Sequence, residues 1–276
     1  MNNFIKDYLI EIKKHNFLNP ELELRALLNH CSFNNEIVFL NNFKVNSINI
    51  QKFKSAFQRR MKYEPLSKIF NKKEFWSLEF YVNQFVLDPR PESEFLIKTI
   101  TEYFTNLDLN LKICDLGTGS GCLAITLAKI YKKSKINATD NFKEALEIAK
   151  KNAKKNGVDK QINFINCDWV SKKKQFDLVV SNPPYLSYSQ YEKCEINIKN
   201  FEPKNALVGG HDGLKSYRQI SKIANSILHD KSFLFIEIGK SQTADIKNIF
   251  INKDLKLIKI VKDYQQIDRV LVLKKI

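Results

Sequence analysis

From residue 111 to the end of the chain, short runs of β-branched and aliphatic residues alternate with longer segments whose apolar residues recur at helical spacing. This alternation predicts strands connected by crossover helices, and it constrains the fold more than any other feature. The last two strands have too few residues between them for a crossover helix, so the final strand is expected to run antiparallel to its neighbours. We therefore predict an α/β fold with a doubly wound, mainly parallel sheet. The seven predicted strands are LKICDLG, KINATD, INFINCD, FDLVVS, SFLFIEIG, LKLIKIV and RVLVLKK.

The residues up to 75 have a different pattern. Apolar residues recur at helical spacing in FIKDYLIEI, ELELRALLNHC and INIQKFKSAFQRRMKY, and Pro20 precedes the second segment as a helix-start signal. This pattern predicts a small helical bundle. The following EFWSLEFYVNQFVLDPRPESE alternates aromatic and β-branched residues, which predicts a β-hairpin connector at about residues 76–88. The expected domains are residues 1–75 and residues 76–276.

The composition excludes a membrane-spanning protein. Of the 276 residues, 43% are apolar, which is enough for a buried core. No apolar run approaches the roughly 18 residues needed to cross a membrane, and charges interrupt the amino-terminal segment too early for a signal peptide. The sequence therefore predicts a soluble, cytoplasmic protein with no membrane partner.

The formal net charge of +15 would suit a nucleic-acid partner, because clustered Lys and Arg neutralise phosphates. The same excess can reflect the general richness of the sequence in Lys, Asn and Ile, so we predict no stable nucleic-acid complex. Between Lys44 and Lys73, nine Lys and Arg residues accompany one acid, Glu64. This basic segment is either a docking surface for a macromolecule or a solvated helix face. Because it lies in the helical domain of residues 1–75, we expect that domain to dock a macromolecular partner.

The cysteines and histidines give no sign of a metal site. The five cysteines include no CxxC pair, and the four histidines have no ligand spacing. An odd number of scattered cysteines argues against a disulfide framework. Cys114 lies in an apolar strand pattern and is expected to be a small core residue. No metal is predicted.

A glycine-rich loop follows the first predicted strand. Asp115 leads into DLGTGSG, in which Gly117, Gly119 and Gly121 let the backbone turn tightly and approach a ligand. In an α/β sheet, ligands lie outside the carboxyl ends of the strands. The spacing differs from the dinucleotide G-x-G-x-x-G motif, and no G-K-[ST] of a triphosphate site is present. The loop predicts a nucleotide-type site, with tight strand–helix packing as the structural alternative.

Acidic side chains also end the second and third predicted strands. Asp140 can accept hydrogen bonds from both hydroxyls of a ribose, although it is also well placed to cap the helix that follows. Asp168 and the adjacent Trp169 supply an edge acceptor and a wall for an adenine. With the glycine loop, these residues outline an adenosine pocket.

The stretch VVSNPPYLS ends the fourth strand with two consecutive prolines. Pro183 and Pro184 have no N–H to donate, so the sheet ladder must stop there, where Asn182 and Tyr185 project. Asn-Pro-Pro is also a good turn initiator, and Tyr185 could simply cap a core. By itself the motif leaves a turn and a ligand site as alternatives.

Together, DLGTGSG, Asp140, Asp168-Trp169 and SNPPY resemble the class I S-adenosylmethionine-dependent methyltransferases. The segments FVLDPRPESE, NIKNFEPKNALVGGHDGL and DRVLVLKK narrow the resemblance to the bacterial release-factor glutamine N5-methyltransferases. The NPPY motif alone is shared with adenine N6-methyltransferases. The resemblance extends from about Pro20 to the carboxyl terminus, and within it Ser93 stands where Thr is usual.

The resemblance implies a Rossmann-like sheet, S-adenosyl-L-methionine as cofactor and S-adenosyl-L-homocysteine as product. It implies class 1 peptide chain release factors as partners, methylated on the glutamine of their Gly-Gly-Gln motif. The implied cofactor-binding residues are Asp115, Gly117, Thr118, Gly119, Ser120, Gly121, Asp140, Asp168, Trp169 and Asn182. The implied substrate-binding residues are Arg90, Glu92, Asn182, Pro183, Pro184 and Tyr185, of which Asn182, Pro183 and Tyr185 are expected to be catalytic.

The chemistry gives the NPPY motif a physical reason. A carboxamide nitrogen must pyramidalise and gain positive character to be methylated, because its lone pair is delocalised into the carbonyl. The Asn182 side-chain oxygen and the Pro183 carbonyl are the expected acceptors for its N–H groups, with Tyr185 packed on the amide plane. No acidic general base is then needed at the nitrogen. From Asp115, the glycine loop and Asp140, we expect the protein to bind S-adenosyl-L-methionine and to require no nicotinamide cofactor.

Two other functions remain as alternatives. An adenine N6-methyltransferase acting on DNA or RNA would use the same motif on an exocyclic amine, and the net charge of +15 is its support. Against it, the sequence after Tyr185 has no sizeable insert for target recognition. The intact glycine loop, Asp140 and NPPY motif argue against a binding module without activity.

Overall fold

The computed structural model describes residues 3–33, 36–169, 175–251 and 254–276. The chain divides into two compact units, Met1–Asn71 and Lys72–Ile276. This division lies a few residues ahead of the boundary expected after residue 75. The docking role expected of the first domain stays a prediction.

The first unit is helical. Asn19 accepts a hydrogen bond from Leu22 N–H at 3.0 Å, and Pro20 follows at the first helical position. Asn49 accepts from Lys52 N–H in the same way, also at 3.0 Å. These caps satisfy N–H groups that the first turn of a helix leaves without partners. The helices, which bury their apolar faces in one core, are α1 (Asn3–Lys13), α2 (Pro20–Cys31), α3 (Ile50–Met61) and α4 (Leu66–Phe70).

The arginines of the basic segment take part in the packing of this unit. Arg60 makes a paired contact with Glu23, in which Nε lies 2.7 Å from one carboxylate oxygen and Nη2 lies 2.9 Å from the other. Arg59 binds Glu64 through Nε at 2.8 Å. Both arginines are therefore neutralised within the unit and stabilise it.

A β-hairpin begins the second unit. It consists of β1 (Lys73–Phe75) and β2 (Leu78–Phe80), which pair antiparallel. Trp76 and Ser77 form its two-residue turn with φ of 51° and 57°. Positive φ at both positions gives the turn the twist of the flanking strands. The hairpin starts three residues before the expected range of 76–88 and ends at Phe80, well before residue 88.

Beyond the hairpin, the chain continues without a strand although its sequence alternates. Val82 and Val86 are buried, but they pack with Ala145 and Ile148 of a later helix. Their alternation therefore reflects burial under that helix and not strand pairing.

The second unit contains a seven-stranded sheet. Its strands are β3 (Lys112–Leu116), β4 (Lys135–Asp140), β5 (Ile162–Asn166), β6 (Phe176–Ser181), β7 (Leu228–Glu237), β8 (Leu255–Lys262) and β9 (Asp268–Lys275). The strand order is β5-β4-β3-β6-β7-β9-β8. The first five strands in this order are parallel, and β9 is antiparallel to both of its neighbours. The predicted fold class and the antiparallel final strand are confirmed.

Helices cover both faces of this sheet. They are α5 (Glu94–Tyr103), α6 (Cys122–Ile130), α7 (Lys143–Lys155), α11 (Lys215–Ile227) and α12 (Thr243–Phe250). The connection between β6 and α11 contains three shorter helices, α8 (Tyr188–Glu192), α9 (Ile196–Phe201) and α10 (Lys204–Leu207). Ile113 of β3 packs with apolar residues of α5 and α6, whereas the next residue, Cys114, packs with those of α11 and α12. Cys114 is thus the core residue that the sequence predicted. Among the described residues, no helix combines the length and apolar character needed to span a bilayer.

The register of the sheet brings four strand ends to one edge. Leu116 of β3 pairs with Thr139 of β4 and with Ser181 of β6. Ser181 in turn pairs with Ile236 of β7. Because these four residues are in register across the sheet, the residues that follow them lie side by side at its carboxyl edge. They are Gly117, Asp140, Asn182 and Glu237.

Candidate active site

A cavity of about 440 Å³ opens at this edge of the sheet. Its volume falls in the range of about 300–1,000 Å³ that is typical of small-molecule sites. The cavity lies by the β3–β6 pair, where the strand order reverses, as expected for ligands of doubly wound sheets. The predicted site residues that line it are Arg90, Gly117, Thr118, Gly119, Ser120, Asp140, Asp168, Trp169, Asn182 and Pro184. The predicted residues outside its lining are Glu92, Asp115, Gly121, Pro183 and Tyr185.

The glycine loop between β3 and α6 folds back onto the end of β4. The N–H groups of Gly117 and Thr118 both donate to the Thr139 carbonyl, at 2.9 and 2.8 Å. The loop's glycines all have positive φ, which glycine adopts without strain. At Gly121, a Cβ atom would lie 2.9 Å from Ile125 Cδ1. This last glycine therefore serves the packing of α6, whereas the preceding loop residues face the cavity.

Asp115 supports the loop from inside the fold. Its side chain is fully buried, and its Oδ2 accepts from the Thr118 hydroxyl at 2.6 Å and from Ala124 N–H at 3.2 Å. Burial raises the pKa of this carboxyl to about 7, against the lowering effect of the two hydrogen bonds. The structure thus places Asp115 behind the loop, where it orders Thr118 and the start of α6. A direct contact of Asp115 with a cofactor stays a prediction.

Asp140 ends β4 and faces the cavity. Its Oδ2 accepts from Gly119 N–H and its Oδ1 from Phe142 N–H, both at 2.9 Å. Helix α7 begins at Lys143 with Phe142 in the capping position, so the suggestion that Asp140 caps this helix is wrong. Burial raises the pKa of Asp140, and its backbone hydrogen bonds oppose this effect. Each carboxylate oxygen keeps a further lone pair, so Asp140 can also accept from the hydroxyls of a ligand.

Asp168 and Trp169 follow β5 and close one side of the cavity. Asp168 Oδ1 accepts from the Asn141 side-chain amide at 3.0 Å. Trp169 Nε1 donates to Gln219 Oε1 at 3.2 Å. The indole Cζ3 lies 3.8 Å from the position that a Cβ atom would take at Gly117. The ring therefore forms a fixed apolar wall beside the glycine loop, suited to stack on an aromatic base.

Asn182 is the first residue beyond β6, and buried groups hold its side chain. Its Nδ2 donates to Ser93 Oγ at 2.8 Å, and the Ser93 hydroxyl donates to Glu237 Oε2 at 2.6 Å. The exposed fraction is 2% for Ser93 and 1% for Glu237. Within the four described ranges of the chain, no group donates to Asn182 Oδ1. This oxygen is therefore available to a ligand in the cavity that Asn182 lines.

The backbone of the NPPY motif is clamped by neighbouring loops. Gln242 Nε2 donates to the Tyr185 carbonyl at 2.9 Å. A Cβ atom at Gly209 would lie 2.5 Å from the Pro184 carbonyl oxygen. Gly213, whose φ is +77°, makes a similarly close approach to the Tyr185 carbonyl. Because only glycine fits at these two positions, the GGHDG loop can pack directly on the motif and hold it rigid.

An ion pair joins the PRPE and FEP segments. Arg90 Nη2 donates to Glu202 Oε1 at 2.9 Å, and Asp88 N–H donates to Glu202 Oε2 at 3.3 Å. The Glu202 side chain is 2% exposed, so its buried charge is matched by Arg90. The ion pair fixes the position of Arg90, which lines the cavity. Glu92 lies elsewhere and lines a smaller cavity of about 220 Å³.

Sequence reasoning missed two acids of this region, Glu202 and Glu237. Glu237 ends β7 in the run SFLFIEIG, and an acid within such an apolar run signals a buried, partnered carboxyl. Burial raises the pKa of Glu237 to about 7. Glu202 was part of the FEP segment that carried the resemblance, but its partner Arg90 lies too far away in the sequence for a local pattern to connect them.

Comparison with known proteins decides the family. The release factor glutamine methyltransferase of Buchnera aphidicola subsp. Baizongia pistaciae is 35% identical over 275 residues, which cover 99% of this chain and 98% of that protein. The chain belongs to the release factor glutamine methyltransferase family. Within this family member, residues 88–201 match the Methyltransferase small domain. That match contains the glycine loop, Asp140 and Asn182.

Two further matches set this member of the release factor glutamine methyltransferases in context. The bifunctional methyltransferase of Rickettsia bellii is 33% identical over 300 residues, which cover 98% of this chain and 54% of that protein. The chain therefore spans about half the length of that relative. A solved methyltransferase structure from Pyrococcus furiosus is 18% identical and covers 80% of this chain and 98% of its own, with a TM-score of 0.53. This last similarity concerns the fold alone and agrees with the predicted methyltransferase architecture.

Proposed function

We propose that this protein transfers a methyl group from S-adenosyl-L-methionine to the side-chain amide nitrogen (N5) of the glutamine in the Gly-Gly-Gln motif of class 1 translation release factors. Family membership supports this reaction and this protein substrate. The observation that carries the proposal is the state of Asn182. Its amide nitrogen is engaged by Ser93, and its oxygen is left to the cavity. An oxygen held in this way is a ready acceptor for an N–H group of a substrate amide.

The role of Asn182 follows from the chemistry of amides. As a carboxamide nitrogen gains a methyl group, it pyramidalises and becomes positive. Asn182 Oδ1 and the Pro183 carbonyl would each accept one of its N–H groups and favour that charge in the transition state. Pro183 and Tyr185 belong to the same motif as Asn182 but do not line the cavity. They can therefore contact the substrate amide only if the substrate extends past Asn182. The clamped backbone of the motif keeps these groups in place before the substrate arrives.

The cavity suits S-adenosyl-L-methionine, which when bound supplies a methyl group on a positively charged sulfur. In this proposal, the glycine loop holds the methionine part, Asp140 accepts from the ribose hydroxyls, and Asp168 and Trp169 hold the adenine. Two features support the fit. The carboxylate of Asp140 has spare lone pairs toward the cavity, and a Cβ atom placed at Gly119 would meet no atom within 4 Å, so the loop leaves open space there.

The proposed reaction needs no acidic general base. The amide nitrogen forms the new bond to the methyl carbon as the carbon–sulfur bond breaks, and S-adenosyl-L-homocysteine leaves. The positively charged nitrogen is then strongly acidic, so one N–H proton passes to water. Glu237 does not take this proton, because Ser93 and Asn182 stand between its carboxylate and the cavity.

We further propose that the first unit docks the protein substrate in the cytoplasm. The arginines of its basic segment are already paired, so its charge toward a partner comes from exposed lysines. Exposed apolar side chains are present in the same unit, with Ile37 71% and Phe39 67% exposed. Mixed basic and apolar surface suits a protein partner. The exposed lysines of this segment that lie within the first unit are Lys44, Lys52, Lys54 and Lys62.

Mass spectrometry of the release-factor loop peptide tests the proposal. After incubation with the protein and methyl-labelled cofactor, one methyl group is expected on the glutamine side chain. Asn182→Ala should lose about 10²-fold or more in turnover while still binding cofactor, because the acceptor acts mainly in the transition state. Asn163→Ala, a change of an exposed asparagine on β5, is the control and should retain activity. Label in the adenine of DNA or RNA, or full activity of Asn182→Ala, would contradict the proposal.

A further inference from the structure

We infer that Ser93 and Glu237 are positioning residues for the proposed methyl transfer, because they determine which end of the Asn182 amide faces the substrate. The inference rests on the proposed function and extends it beyond the NPPY motif. The three side chains form one chain of hydrogen bonds, which runs from the end of β7 to the cavity.

The direction of these hydrogen bonds follows from the chemistry of the groups. A carboxylate accepts hydrogen bonds and donates none. The Ser93 hydroxyl, 2.6 Å from Glu237 Oε2, must therefore give its one proton to that carboxylate. Only lone pairs of Ser93 Oγ then remain for Asn182 at 2.8 Å, and an amide can meet lone pairs only with its NH₂ group. The Asn182 oxygen is consequently turned away from Ser93 and toward the cavity.

This orientation matters because the two ends of an amide have nearly the same size and opposite hydrogen-bonding roles. With Oδ1 toward the cavity, Asn182 accepts an N–H of the substrate amide and favours the positive nitrogen. With NH₂ toward the cavity, Asn182 presents partial positive charge to that nitrogen and opposes the reaction. Without the Ser93 hydroxyl, nothing in this chain of hydrogen bonds selects the first orientation over the second.

Both supporting groups are held firmly. Glu237 pairs with Val270 of β9 within the sheet, and the Tyr217 hydroxyl donates to the Glu237 carbonyl at 3.0 Å. Ser93 precedes α5 and is as deeply buried as Glu237. Burial raises the pKa of Glu237 to about 7, so the acceptor-only carboxylate predominates at higher pH. The support for Asn182 is thus rigid and, above neutral pH, has a single direction.

The test compares full-length variants at pH 8 with purified class 1 release factor and methyl-labelled S-adenosyl-L-methionine. Ser93→Ala removes the hydroxyl, and Ser93→Thr retains it. Ser134→Ala is the matched control, because Ser134 is 1% exposed and its hydroxyl also bridges two groups. It donates to the Leu109 carbonyl and accepts from Leu111 N–H, both at 3.0 Å, at the opposite end of the sheet.

We expect kcat of Ser93→Ala to fall about 10-fold or more, since Asn182 then samples both orientations. KM for the release factor and the Kd of S-adenosyl-L-homocysteine should stay within about twofold, because the lost effect belongs to the transition state. Ser93→Thr should restore kcat to within about threefold, and Ser134→Ala should match the unaltered protein.

Equal kcat values for Ser93→Ala and Ser134→Ala would overturn the inference. So would a parallel loss of cofactor affinity, which indicates general structural damage. If Ser93→Ala does not fold, Ser93→Cys replaces it with the same expectations, because a thiol fills the space but is a weak donor and acceptor. No transfer by the unaltered protein would reject the proposed function itself, and the inference with it.

Discussion

Replacement of Asp140 by alanine is the sharpest test of the proposed cofactor site. The carboxylate lines the cavity and already accepts from the N–H groups of Gly119 and Phe142. Its removal would leave the ribose hydroxyls without acceptors and would release the loop at Gly119. A group left unpaired in such a site costs about 1–3 kcal/mol. This range corresponds to about a 5- to 150-fold increase in Kd.

Isothermal titration with S-adenosyl-L-homocysteine measures this effect without turnover. Asp177→Ala is the matched control, because Asp177 also accepts a backbone N–H, from Lys112 at 2.8 Å, but lies at the amino end of β6. The Asp177→Ala protein should bind S-adenosyl-L-homocysteine with the Kd of the unaltered protein. Asp140→Asn keeps one carbonyl oxygen and should lose less affinity than Asp140→Ala. A folded Asp140→Ala protein with the Kd of Asp177→Ala would refute the assignment of Asp140 to the ribose.

Two further predictions concern Glu237, and a third concerns the first unit. Turnover should rise as pH increases through about 7, because Ser93 must donate its proton to ionised Glu237. The Glu237→Gln variant should lose this rise. A variant whose turnover has the same pH profile as the unaltered protein would contradict the role of Glu237. The stability of the fold should change with pH in the opposite sense. Because burial raises the pKa of Glu237, the protonated carboxyl stabilises the fold fully below about pH 4.5, and this contribution is lost as pH rises through about 7. The free energy of unfolding in urea should therefore differ less between pH 5 and pH 8 for Glu237→Gln than for the unaltered protein. The charged or titratable groups that interact electrostatically with Glu237 are Arg90, Glu92, Cys122, Tyr185, Tyr217 and Arg269. Replacing three lysines of the first unit by Glu should raise KM for the release factor and leave the Kd of S-adenosyl-L-homocysteine unchanged. The control variant replaces three lysines of the second unit by Glu. Equal KM values for the two variants would remove the support for docking. The test positions are Lys44, Lys54 and Lys62, and the control positions are Lys132, Lys160 and Lys240.

The seven strands and the place of the site could be predicted from the sequence because both depend on local patterns. Each strand of a doubly wound sheet is covered on both faces, so its residues form a short apolar run that is visible without a structure. A polar residue at the end of such a run stands at the carboxyl edge of the sheet. Gly117, Asp140 and Asn182 are therefore expected at one edge before their contacts are known.

Tertiary structure alone decided what each polar side chain does at that edge. Asp115 and Asp140 both lie near strand ends, yet Asp115 is buried behind the glycine loop and Asp140 faces the cavity. Ser93 lies 89 residues before Asn182 and 144 residues before Glu237, and these residues meet because the register of β6 and β7 places two of them side by side. Hydrogen bonds between such distant residues depend on strand order, register and the path of a loop. No local pattern contains this information, because the NPPY motif marks Asn182 and the apolar run SFLFIEIG marks Glu237, but neither pattern shows which residue its side chain meets.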